Sequence, residues 1–129
     1  MRTVDVTLTI TMLGWIFTGL LLVLVVACAT AGRGALPLNH WFGVRLPALM
    51  VSRQAWRIGH AAGVLPASVA FLAAAICSVA GLVMPGLYWG TIGAFVGGVV
   101  WVFIRSSAAA RHSANTPLST DRTHWTSGY

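Results

Sequence analysis

Charged positions divide this chain before any other pattern does. None lies between Asp5 and Arg33, and none between Arg57 and Arg105. A helix needs about 20 mostly apolar residues to cross the hydrocarbon of a bilayer. The first gap therefore holds one span and the second holds two. The first span is predicted over residues 6–30. Its opening, from Val4 to Thr11, alternates like a strand. Residues 12–30 alone would still rise about 28 Å as a helix, so only the start is open. The second gap breaks at Met84-Pro85-Gly86, a turn signal. This predicts spans over 64–84 and 86–104, joined as a helical hairpin. Pro66 then falls in the first turn of the second span, where its missing N–H costs least. A helix continuing from the preceding segment should instead be kinked there.

Two stripes of small or hydroxylated residues suit close approach of membrane helices. Thr7, Thr11, Gly14 and Thr18 form one in the first span. Gly86, Gly90, Ala94 and Gly98 form the other in the third, and predict close helix packing within the chain or between chains. The loop over 31–62 contains a further helical pattern. Ser52 is suited to cap it. At 100° per residue, Arg53, Trp56, Arg57 and His60 share one arc, with Ala55, Ile58 and Ala62 opposite. This reads as a short interfacial helix. Residues 105–129 are polar and rich in Ser and Thr, and read as a mobile tail following a membrane domain over 1–104.

Composition excludes the main alternatives. The 129 residues are 57% hydrophobic and only 8% charged, where a soluble domain carries about 25% charged residues. Disorder of the whole chain is excluded by the same figures. The fold class is therefore an all-α membrane protein of three transmembrane helices. The net charge is +6, and every basic residue is an arginine. Arg33, Arg45, Arg53, Arg57, Arg105, Arg111 and Arg122 fall on one side of a three-span chain, and Arg2 alone on the other. The positive-inside rule then places the N-terminus outside a bacterial cell membrane, with the 31–62 loop and the tail in the cytoplasm. Tyr88 and Trp89 are expected at the outer interface, Trp41 and Trp101 at the inner one. Arginines at span boundaries point to anionic lipid headgroups as partners rather than nucleic acid. Val25-Val26-Ala27-Cys28 has the form of a lipoprotein cleavage site. Its apolar stretch is much longer than a signal h-region, however, so the first span is read as retained.

No catalytic constellation is legible. Glu is absent, and the acids are Asp5 and Asp121 alone. Cys28 and Cys77 read as small buried hydrophobes. His40, His60, His112 and His124 lack metal-ligand spacing. No enzyme, no metal and no cofactor are expected. The informative stretch is the loop from Leu36 to Pro47, followed by Ser52 to His60. Gly43 admits backbone conformations that other residues resist. Pro47 holds Leu46 away from the helical region, so Arg45 projects from an irregular stretch. An arginine there can offer a fork of donors to a phosphate or carboxylate. His60 adds a pH-dependent charge nearby. As a simple lipid anchor, Arg45 would be replaceable by any cation.

The pattern Asn39-x-x-Phe42-Gly43-Val44-Arg45-x-Pro47, with Trp56 and His60 four apart before a transmembrane hairpin, resembles the SdpI-like family. These bacterial membrane proteins take their name from an immunity protein against a sporulation-delaying toxin. The likeness covers residues 36–104. Leu46 stands where the family usually has Thr, and the tail has no counterpart. The resemblance implies a multi-span membrane protein whose functional residues are Asn39, Phe42, Gly43, Arg45, Pro47, Trp56 and His60. It also implies toxin immunity or sensing of a membrane-active peptide. An accessory subunit, packed into a larger membrane complex through its glycine face, is the other reading.

Overall fold

The computed structural model describes residues 2–36 and 46–115. Three helices follow one another: α1 (Arg2–Gly32), α2 (Arg53–Gly81) and α3 (Tyr88–Asn115). A single 3-10 turn, Pro85–Leu87, joins the last two. All three helices are long and apolar enough to cross a membrane, over Asp5–Gly32, Arg53–Gly81 and Pro85–Ser113. No strand occurs among the described residues, and the alternating start of α1 is helical. There the Thr9 and Thr11 hydroxyls donate to the carbonyls of Asp5 and Thr7, each at 2.8 Å. Each threonine thus satisfies its hydroxyl within its own helix.

The central helix is α2, which packs against α3 most extensively and against α1 next. Its buried positions include Trp56, His60, Gly63, Ala67, Ala70 and Ala74, alternating steps of four and three. That 3.5-residue repeat is the seam of helices packed at a shallow angle. The residues along it are mostly small, so the backbones approach closely. A Cβ added to Gly32 of α1 would stand 2.9 Å from the Ala61 Cα, and one added to Gly98 of α3 would overlap the Ala70 Cβ. Phe17 and Phe95 stack at 4.6 Å between α1 and α3. Large apolar side chains such as Val83, Ile76 and Val23 point outward, as a lipid-facing surface requires.

One hydroxyl from each helix meets in the interior. Ser78 Oγ lies 2.9 Å from Thr18 Oγ1 and 3.1 Å from Thr91 Oγ1, and Thr18 donates to the Gly14 carbonyl at 2.9 Å. One direction satisfies these contacts: Thr91 donates to Ser78, Ser78 to Thr18, and Thr18 to Gly14. Such bonds between membrane helices contribute about 0.6 kcal/mol each, so they align the bundle more than they stabilise it. In the first stripe, Gly14 and Thr18 face the interior, whereas Thr7 is exposed.

Four expectations change. The segment read as a separate interfacial helix forms the first turns of α2, which runs without a break through Pro66. Ser52 does cap it, its Oγ accepting from the Ala55 N–H at 3.0 Å. The tail does not begin at 105, because α3 continues to Asn115 with Ser106 and Ala110 fully buried. Tyr88 turns inward and is buried, while Trp89 is exposed. Two glycines make the slot for the Tyr88 ring: a Cβ on Gly14 or Gly81 would press against its ring carbons. Finally, the third-span stripe does not keep to one face. Gly98 is buried against Ala70, and Ala94 packs beside it. A Cβ on Gly90 would stand 2.9 Å from Cys77 Sγ, but one on Gly86 would meet nothing within 4 Å.

Candidate functional site

The end of the bundle where α1 stops, α2 starts and α3 finishes collects Arg33, Arg53, Arg57, Arg105 and Arg111. Asp5, the one carboxylate side chain among the described residues, lies at the other end of α1. A glycine turn closes α1 here. Gly34 adopts φ +79°, the left-handed conformation that terminates helices. Its N–H bonds the Ala31 carbonyl at 3.0 Å, and the N–H groups of Ala35 and Leu36 both reach the Thr30 carbonyl. The carbonyls of Thr30 and Ala31 in the last turn are thereby satisfied.

Of the residues singled out from the sequence, Asn39, Phe42, Gly43 and Arg45 lie outside the described residues, as does Trp41. Pro47 is exposed and opens a turn, in which the Leu49 N–H bonds the Leu46 carbonyl at 2.9 Å. Trp56 and His60 are brought together and buried. Their ring centres are 4.1 Å apart, and His60 Nδ1 donates to the Trp56 carbonyl at 2.8 Å. The Trp56 indole N–H reaches across to the Leu36 carbonyl at 3.2 Å. This bond ties the first turns of α2 to the chain leaving α1. Leu49 is tied down on the other side. It is fully buried, and a Cβ on Gly59 would stand 2.8 Å from its Cγ. Leu36 and the 46–50 turn are thus both anchored to α2.

The arc expected to carry Arg53, Trp56, Arg57 and His60 together is divided. Trp56 and His60 face the interior with Ala55, whereas Arg53 and Arg57 are exposed beside Ile58. The division has a physical cause. An unpaired guanidinium is far costlier to bury than an indole whose N–H finds an acceptor. The glycines at 59 and 63 leave room for the inward pair.

Several residues at this end escaped the sequence reading. Gly59 and Gly63, four apart, open the seam to α3: the Ser106 carbonyl comes within 3.2 Å of a Cβ on Gly59, and Ser106 Oγ within 2.8 Å of one on Gly63. Cys28 of α1 closes the same spot, 3.2 Å from that Gly63 position. Ser106 Oγ is buried with no hydrogen-bond partner among the described residues. On the outside, Gly32, Arg53, Gln54, Arg57, Ile58 and Ala61 line an open groove of about 590 Å³. Among the described residues no group of three His, Cys, Asp or Glu side chains could hold a metal ion. The arrangement offers hydrogen-bond donors and positive charge at the rim of an apolar bundle, which suits recognition of an anion or a peptide. Comparison with protein-family models, with curated proteins and with solved structures finds no match to this chain.

Proposed function

We propose that this chain is a small multi-pass protein of the bacterial inner membrane, of the SdpI-like type, which confers immunity to a membrane-active peptide or senses one. In this reading the N-terminus is outside and the arginine-rich end is cytoplasmic. The protein acts by binding, and no catalytic step is involved. One observation carries it. Trp56 and Leu49 fasten the residues on either side of the stretch that holds Asn39, Phe42, Gly43 and Arg45. His60 supports that fastening through Trp56. Fixed flanks of this kind lower the ordering cost of binding.

The test is a deletion strain challenged with membrane-active peptides and complemented with Arg45 variants. The deletion should sensitise the cells, and Arg45→Ala should fail to restore resistance. Arg45→Lys separates a bidentate site from a lipid anchor, because an ammonium cannot reproduce the planar fork of donors. The proposal expects Lys to fail as Ala does, with membrane insertion unchanged. Full restoration by Lys would make Arg45 one more anchor to the inner leaflet.

A second reading is an accessory subunit of a larger membrane complex. The observation favouring it is that, among the described residues, a Cβ on Gly93 or Gly97 of α3, like one on Gly86, would meet nothing within 4 Å. These glycines leave a smooth outer strip, of the kind on which another helix can pack. Co-purification with one stoichiometric membrane protein in mild detergent would support it over the first.

A further inference from the structure

The groove at the α1–α2 junction combines charge and apolar surface in an order that matches one class of molecule. Arg53 and Arg57 stand one turn apart on its wall, with the Gln54 amide beside them. Like charges at this spacing repel, and among the described residues no carboxylate stands near them to offset the repulsion. Arg57 is also placed by the fold. A Cβ on Gly34 would lie 3.1 Å from its Nε and 3.4 Å from its Cζ, so the guanidinium rests against the turn that closes α1. Only a residue without a side chain leaves that space, and φ +79° demands glycine as well.

Depth and the lower wall of the groove add the second half. From Ala61 to Gly81, α2 rises about 30 Å, the thickness of the hydrocarbon layer. Arg53 and Arg57 therefore stand just beyond that layer, at headgroup level. Ile58 and Ala61 line the groove beneath them. From Ile58, an exposed apolar track continues along the helix through Leu65, Leu72 and Val79, each seven residues on. Seven residues are almost two full turns, so these side chains lie nearly in line down the outside of α2.

We propose that this groove is a binding site for one anionic phospholipid, its phosphate between Arg53 and Arg57 and its acyl chains along Ile58, Leu65 and Leu72. The site is a fixed element of the bundle and goes beyond any role in peptide immunity. Its apolar track runs along the outer face of α2, away from the buried Trp56 and His60, and its arginines stand at the exposed edge beside that pair. The arginines supply charge-assisted donors to the phosphate, and the track supplies an apolar surface that a free phosphate would not use.

The full-length protein in detergent, titrated with phosphatidylglycerol and with phosphatidylcholine under native mass spectrometry, tests this. One phosphatidylglycerol should bind saturably, about tenfold or more tighter than phosphatidylcholine. Arg53→Gln combined with Arg57→Gln should lower that affinity about tenfold or more. Arg53→Gln alone, at an exposed position, should lower it severalfold and serves if the double variant does not fold. Arg111→Gln, a cation at the same end but outside the groove, should leave it unchanged. Equal binding of the two lipids would overturn the proposal, as would groove variants that bind like the wild type. An equal loss in Arg111→Gln would assign the effect to diffuse charge and overturn it too. Displacement of the lipid by millimolar inorganic phosphate would show that the apolar track contributes nothing, with the same consequence.

Discussion

Replacing Gly98 with leucine is expected to be among the most damaging single changes in the bundle, while the same change at Gly97 is expected to be silent. Any Cβ at 98 would overlap the Ala70 Cβ, with the Ala70 Cα 3.7 Å away and Leu21 Cδ2 at 3.8 Å. The first obstacle is a methyl fixed directly to the backbone, so it cannot swing aside. Relief requires α2 and α3 to separate along the seam that holds most of the bundle together. Overpacking costs about 1–3 kcal/mol and occasionally more, and a clash with a fixed methyl belongs at the upper end. The hydroxyl contacts among Thr18, Ser78 and Thr91, at about 0.6 kcal/mol each, cannot offset it. Gly97 meets nothing within 4 Å, so a side chain there enters lipid. Gly90→Leu should fall between the two, because its obstacle, Cys77 Sγ, is the end of a side chain that can rotate. Thermal unfolding of the three variants in detergent checks the order. A Gly98→Leu variant melting with the wild type would mean that the α2–α3 register is wrong.

The second large effect is expected at Trp56. Trp56→Ala empties a fully enclosed space among Leu49, Cys28 and Ala110, removes the ring contact to His60, and frees the Leu36 carbonyl. Truncating a buried tryptophan to alanine costs about 3–5 kcal/mol. Trp56→Phe separates the contributions. It keeps most of the apolar ring but cannot donate to Leu36, so it should cost about 0.5–1.5 kcal/mol, the net worth of a part-buried hydrogen bond. In the complementation assay, Trp56→Phe should also lose part of its protection while remaining folded, because one flank of the Arg45 stretch is loosened. Equal melting temperatures for Trp56→Phe and wild type would show that the 3.2 Å bond to Leu36 holds nothing in place.

The three helices were legible because charge is so sparse. Two uninterrupted gaps, divided by Met84-Pro85-Gly86, leave little room for another architecture. The helix ends were less legible, for identifiable reasons. Arg53, Gln54, Arg57 and His60 break the apolar pattern, so residues 53–62 looked like a separate element. Backbone hydrogen bonding does not depend on that pattern, and the helix runs through. Polarity misled in the same way after Ile104. Ser106 and Ala110 are small rather than hydrophobic, yet size is what admits them to the seam beside Gly59 and Trp56. The glycine stripe has a geometric explanation. At 3.6 residues per turn, a strict four-residue repeat drifts by about 40° at each step. Gly90 and Gly98 are therefore about 80° apart around α3, and Gly86 lies before the helix in the 3-10 turn, so the stripe cannot face one neighbour. The inward set, Thr91, Ala94, Gly98 and Val102, mixes steps of three and four and holds its direction. Of the motif residues, Trp56 and His60 were recognised as a pair. Their inward orientation was not, because an arc containing two arginines suggests a single polar face.

The proposed function requires three crossings with the arginine-rich end on the cytoplasmic side. Paired reporters, one active only in the cytoplasm and one only outside it, fused in turn before Arg2 and after Tyr129, measure this directly. An outside signal at the N-terminus and a cytoplasmic signal after Tyr129 are expected. A signal from the same side at both ends would contradict three crossings, and an outside signal after Tyr129 would contradict the proposed orientation.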